Sequence, residues 1–247
     1  MKKITISLIL TLGIFTNVLA VDLIVPASSG GTYHKFASII AKDLESQGHD
    51  VNLIVSGNCV IGKKQWNDSH SAIMINSEAT NSVGKCNVPI TKKNFAHNIF
   101  TAGWVIVSKT KFLGKKMGVV AYMKNTVEDL DVKLVPYKNT TEIKAAFLAG
   151  EIDSGFLTTG RASEIKNKFV LVNTQLKDKG EFSNWENNDL TLNYYLMIKN
   201  VDQSIITLVK KNQTLLKIAD KKNMLPVTFD SVNKQVEYLK GNENKWK

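Results

Sequence analysis

From residue 21 onward, short apolar strands, small polar loops and amphipathic helices follow one another. This rhythm restricts the fold more than any other feature of the chain. Val21–Val25 reads as a buried strand. Pro26-Ala-Ser-Ser-Gly-Gly-Thr32 is rich in turn formers, and a helix then carries Phe36, Ile39, Ile40 and Leu44 on one face as far as Gly48. Val51–Val55 and residues 71–75 read as the second and third strands. Such βαβ units bury both faces of a parallel sheet beneath helices, so the predicted class is α/β.

The rhythm breaks once and restarts. Residues 101–108, with Ala102-Gly-Trp-Val-Ile-Val107, form an apolar run long enough to leave one lobe. Strands follow at Lys116–Val120 and 132–135. A helix capped by Thr140 or Thr141 carries Ile143, Ala146 and Phe147 and ends at Gly150. A strand at 152–157, the loop Thr158-Thr-Gly160, a short helix near Arg161 and a strand at 169–172 complete the segment. Residues 177–188, rich in Lys and Asn, read as a solvated loop, and residues 190–198 form a second long apolar run suited to the return. Two amphipathic helices close the chain, one with Ile205, Leu208, Val209 and Leu216, the other with Val232, Val236, Leu239 and Trp246. The predicted architecture has two lobes, each a mainly parallel sheet flanked by helices, with a ligand cleft between them. Residues 21–105 and 196–247 form lobe 1, and 106–195 are the inserted lobe 2.

Met1-Lys2-Lys3, an apolar run over 4–15 and Val18-Leu19-Ala20 make a signal peptide over residues 1–20, cleaved after Ala20 and directing the chain to the periplasm. The run is too short to span a bilayer. Cleavage removes Lys2 and Lys3 from a net charge of +10, and Arg161 is the only arginine among 32 basic residues. Nucleic-acid readers lean on arginine for bidentate contacts, so no nucleic-acid partner is expected. Export also bears on Cys59 and Cys86, 27 positions apart. In an oxidising compartment a disulfide is the simplest reading, and two buried thiols are the alternative. The four histidines His34, His49, His70 and His97 have no metal-ligand spacing, so neither metal nor cofactor is expected.

The first loop is the most informative. Gly30 and Gly31 let a backbone approach a ligand, a helix start supplies N–H donors and partial positive charge, and Ser28, Ser29, Thr32 and Tyr33 add hydroxyls. That chemistry suits a carboxylate, and neither G-x-G-x-x-G nor a P-loop is present. Ser56-Gly57-Asn58, Asn76-Ser77 and Thr158-Thr159-Gly160 are small polar loops at the carboxyl ends of other strands, where open α/β sheets bind ligands. Arg161 can add a bidentate contact to a carboxylate. His34 is either a pH-sensitive ligand group or a helix-surface residue. Trp104 reads as core. Glu151 and Asp153 lack any accompanying nucleophile or metal group, so no catalytic residue is assigned.

Over most of its length after the signal, the chain resembles the substrate-binding proteins of tripartite tricarboxylate transporters, which share the type 2 periplasmic binding fold. The resemblance rests on Leu23-Ile-Val-Pro26 with Gly30-Gly31, and on Val51-Asn-Leu-Ile-Val55 with Ser-Gly57 and Gly62. It also rests on Val135-Pro-Tyr137, Ala149-Gly-Glu-Ile-Asp153-Ser-Gly-Phe156, Leu225-Pro226 and Lys245-Trp246. It implies that Ser28, Ser29, Gly30, Gly31, Thr32, Tyr33, Ser56, Gly57 and Asn76 surround a carboxylate. The chain departs from the family pattern at His34, at Ser56-Gly57-Asn58-Cys59 and at Ser69-His70. The expected function is a monomeric solute-binding protein that hands a small organic anion to membrane transporter subunits. Gly30-Gly-Thr-Tyr33 also looks like the first loop of receptors of TRAP transporters of the immunodominant-antigen type. A sensor, or an exported enzyme using Cys59 with a histidine, are the other readings.

Overall fold

The computed structural model describes residues 20–128, 130–171, 191–212, 214, 215, 217 and 232–243. The signal segment up to residue 19, the 177–188 loop, Leu216, Leu225-Pro226 and Lys245-Trp246 lie outside the described residues. Strand β1 (Val21–Val25) is buried on both faces. Side chains alternate along a strand, so Leu23 and Val25 enter the larger core while Ile24 joins a second cluster with Trp66, Met74, Tyr195 and Met197. Helix α1 (Thr32–Ser46) lays Tyr33, Phe36, Ala37, Ile40, Ala41 and Leu44 into the larger core. Helix α2 (Cys59–Asp68) contributes Trp66 to the second. A side chain at Gly62 of α2 would place its Cβ 2.8 Å from Pro26 Cβ and 2.9 Å from Pro26 Cα. Only a residue without Cβ lets α2 pack against the start of the first loop.

Strands β2 (Val51–Val55) and β3 (Ala72–Ser77) flank β1 in parallel register. The remaining strands are β4 (Phe95–Ser108), β5 (Lys116–Val120), β6 (Lys133–Tyr137), β7 (Ser154–Thr158), β8 (Phe169–Leu171) and β9 (Thr191–Lys199). Their order is β2-β1-β3-β9-β4-β7-β5-β6, with β8 paired to β4. The outer pairs, β1 with β2 and β3 and β5 with β6 and β7, are parallel as predicted, but β3–β9, β9–β4 and β4–β7 are antiparallel. The reason is that β4 runs out of one half of the sheet and β9 runs back beside it. Strand β4 pairs with β9 over 95–103 and with β7 over 104–108, so one continuous strand belongs to both halves.

Several boundaries differ from the sequence reading: β6 runs on to Tyr137 and β7 to Thr158, past the predicted ends at 135 and 157. Strand β4 begins at Phe95, well before the apolar run, because its polar residues find partners: Asn98 Nδ2 and Thr101 Oγ1 donate to Asn193 Oδ1 at 3.3 and 2.5 Å. Asn193 in turn donates its backbone N–H and its amide to the buried carboxylate of Glu78 at 2.8 and 2.6 Å, tying β9 to helix α3 (Glu78–Ser82). Asn76 and Ser77, predicted as a loop, are the buried end of β3. The cap of helix α4 (Thr140–Ala149) is Asn139, whose side chain accepts from the N–H groups of Thr141 and Glu142; Gly150 ends the helix at φ +85°. A 3₁₀ helix over Ala121–Val127, absent from the sequence reading, follows β5. Helices α5 (Thr159–Ser163), α6 (Gln203–Lys210) and α7 (Val232–Glu243) follow among the described residues, with α7 packing Val236 and Leu239 against the second cluster.

Candidate functional site

The carboxyl end of β1 and those of β5 and β6 converge on one cleft. Its inner pocket, about 30 Å³, is walled on one side by Ser28, Gly31, Thr32 and Tyr33 and on the other by Tyr122, Lys138, Asn139, Thr140 and Thr158. Trp104 of β4 and Tyr194 of β9, from the two crossing strands, close the back. An outer chamber of about 240 Å³ adjoins it, bounded by Pro26, Gly57, Asn58, Cys59, Val120 and Ala121. Ala27, Ser28, Val120, Tyr122 and Lys138 border both spaces. The two walls touch: Asn139 Nδ2 donates to Ser28 Oγ at 3.3 Å.

Helix α1 opens onto the inner pocket without a side-chain cap, since its N-cap is Gly31 in extended conformation. Helices α2 to α6 are each capped by a side-chain oxygen, from Asn58, Ser77, Asn139, Thr158 and Asp202. The first-turn N–H groups of α1 and the positive end of its dipole therefore address whatever fills the pocket. Behind them Tyr33 Oη bonds Ser77 Oγ at 2.5 Å and Thr80 Oγ1 at 2.7 Å, and also meets Tyr122. Burial pushes the Tyr33 phenol up to about 12, against the hydrogen bonds from Ser77, Thr80 and Tyr122, and burial likewise raises Tyr122 and Tyr194. These phenols stay protonated, so the aromatic wall brings no negative charge to the pocket.

Of the residues singled out in the sequence, Ser28, Gly31, Thr32, Tyr33, Gly57 and Thr158 line the cleft. Ser29 and Gly30 are exposed and lie off its wall. The Gly30 N–H donates to His34 Nδ1 at 3.1 Å, so His34 is a helix residue that closes the loop on itself. The others are turned to internal partners. Ser56 Oγ donates to Gln65 Oε1, Asn76 Nδ2 to Asn81 Oδ1, and Thr159 Oγ1 to the Gly103 carbonyl, while Ser77 Oγ accepts from Thr80 N–H.

Arg161 is also absent from the wall. It is 7% exposed, and its guanidinium bonds Glu164 at 2.9 Å and Thr141 Oγ1 at 2.9 Å. Lys144 reaches the same Glu164 oxygen at 2.8 Å. Partial burial alone would raise the Glu164 carboxyl, but the hydrogen bonds and charges of Lys144 and Arg161 outweigh it and hold the group at about 2. A depressed carboxylate stabilises the fold above its unfolded value of 4.5, and that contribution is lost as pH falls towards 2. Glu164 is one-third exposed, so solvent screening limits the effect to about 1 kcal/mol. The melting-temperature gap between the parent and Glu164→Gln should accordingly close between pH 4.5 and 2; a gap that is constant with pH would contradict the pairing.

Lys138, Asn139, Tyr122 and Tyr194 escaped the sequence reading although they shape the cleft. The loop after Val135-Pro-Tyr137 stands at the carboxyl end of a parallel strand, the same signal that marked the other loops. Tyr122 and Tyr194 carry no local mark.

No protein-family model and no curated protein sequence matches the chain. Among solved structures it is similar to the periplasmic binding protein BugD, with 12% identity over 92% of this chain and 95% of that one and a TM-score of 0.65. It is also similar to MatC from Rhodopseudomonas palustris with bound malate, at 9% identity, 94% and 98% coverage and a TM-score of 0.65. A third, R. palustris Rpa4515 solved with adipate, shares 11% identity over 94% and 96% of the chains with a TM-score of 0.63. At such identities the likeness is one of fold: this chain has the two-lobed α/β fold of periplasmic binding proteins.

Proposed function

We propose that this chain is an exported solute-binding protein that captures a small carboxylate between two lobes and presents it to a membrane transporter. The observation that carries the proposal is the uncapped start of α1 opening onto a cleft walled from both halves of the sheet. Backbone donors at the start of α1 hold a carboxylate there, and a ligand touching both walls favours the closed form by its differential affinity. The fold it shares with proteins solved with malate and with adipate supports the same reading, as does the resemblance to tripartite tricarboxylate receptors. We place lobe 1 at 21–105 and 196–247 and lobe 2 at 106–195, with β4 and β9 as the hinge. Residues 1–20 are read as the cleaved signal, and among the described residues no helix is long and apolar enough to cross a membrane. The mature protein acts as a monomer and catalyses no reaction. Cys59 is bonded to Cys86, which removes the thiol that a cysteine enzyme would use.

A thermal-shift screen of mono-, di- and tricarboxylates tests the reading. A ligand at a hundred times its Kd should stabilise the protein by about 2.7 kcal/mol. Silence across all three classes would refute it.

A further inference from the structure

Resting on that reading, we propose that the ligand is a monoanion with a compact apolar body: one carboxylate held at the start of α1 beside Lys138, and a hydrocarbon or aromatic remainder in the outer chamber. The division of the cleft argues for this. The inner pocket, lined by the start of α1, has about 30 Å³, roughly two to three times the space one water needs and room for a carboxylate head. The outer chamber, at about 240 Å³, is below the range of drug-sized sites and takes a body of several carbons. Its border includes Pro26, Ala27, Val120, Ala121 and the ring of Tyr122, which favour a body without charge.

The charges point the same way. Lys138 borders both spaces and is the one cation on the lining among the described residues, since Arg161 is committed to Glu164. A carboxylate already stands beside the Lys138 loop: Glu142 accepts from the Lys138 N–H at 3.1 Å and from Asn139 Nδ2 at 3.3 Å. One ligand carboxylate can be matched by α1 and Lys138 together. A second would meet the Glu142 carboxylate beside that loop, with no further cation among the described residues of the lining to offset the repulsion.

Titration calorimetry with the full mature chain tests this, using acetate, butyrate, hexanoate and benzoate against malate and adipate. Affinity should rise about fourfold per added methylene from acetate to hexanoate. Hexanoate and benzoate should bind at least tenfold more tightly than malate or adipate. Lys138→Gln, at an exposed position, should weaken every monocarboxylate about tenfold. Glu142→Gln, which keeps an acceptor for the Lys138 N–H, should narrow the gap to the dianions. A flat chain-length series, or tighter binding of malate or adipate, would overturn the monoanion while leaving the carboxylate cleft standing. An unaffected Lys138→Gln would overturn the placement of the head. Absence of binding by every carboxylate would overturn the underlying function as well.

Discussion

Gly31→Asp is expected to abolish carboxylate binding and to leave the protein slightly more stable. The two effects share one cause. Gly31 has φ −76°, within reach of any residue, and a Cβ there would sit 3.7 Å from the Ser28 carbonyl oxygen and 3.8 Å from Asn139 Cβ, ordinary contact distances. An aspartate at this N-cap can accept from the first-turn N–H groups of α1, a gain of a few tenths of a kcal/mol over glycine. Those are the donors assigned to the ligand, and the new charge repels it. At about 5 Å and an effective dielectric near 20, two like charges cost ~3 kcal/mol, or about a hundredfold in affinity. Gly31→Ala separates the components, since it adds neither cap nor charge and should bind almost as the parent does. Calorimetry and thermal melts on the two variants decide the matter. A Gly31→Asp protein that binds carboxylates with parental affinity would remove α1 from the site.

Removal of the disulfide is expected to have the largest effect on stability. Cys59 opens α2 and Cys86 is buried, 3% exposed, beyond α3. The bond closes a loop of 27 positions, worth about 3.5 kcal/mol by its effect on unfolded-chain entropy. For a chain of this length that corresponds to a fall in melting temperature of roughly 10 °C in the double variant Cys59→Ser/Cys86→Ser. The loss should extend to binding, because Gly57, Asn58 and Cys59 form one wall of the outer chamber. Weakening should therefore be greater for hexanoate than for acetate, whose small body makes little use of that wall. An unchanged melting temperature in the double variant would show that α2 is anchored by packing alone, through Gly62 against Pro26 and Trp66 in the second cluster.

Where information is local, residues and structure agree closely. The strands at Val21–Val25, Val51–Val55 and Lys116–Val120 have the bounds their apolar runs suggest, and α1 has the face its spacing requires. Gly150 ends its helix at positive φ because only glycine adopts that conformation without cost. Disagreement appears where polar residues are buried. Asn76 and Ser77 read as a loop in one dimension, yet they, like the polar Asn98 and Asn193, lie inside and are bonded to residues distant in sequence or in the next element. Arg161 resembles a ligand clamp until Glu164 and Lys144 are placed around it. Caps behave similarly: Thr140 and Thr141 are plausible N-caps for α4, and Asn139 takes the role because its side chain reaches two N–H groups at once.

The sequence by itself determined the α/β class, the break and restart of the βαβ rhythm, and a glycine loop leading into a helix, because propensity, periodicity and turn chemistry act over a few residues. The tertiary structure alone decided which of the loop residues face the cleft. It also decided that Lys138, Asn139 and Tyr122 stand opposite them. That outcome depends on β4 passing from one half of the sheet to the other, and the positions brought together, such as Ser28 and Asn139, are 111 residues apart. A hydrogen bond over such a separation leaves no periodic trace in the chain, since it is settled by how whole layers pack and not by the preferences of either residue.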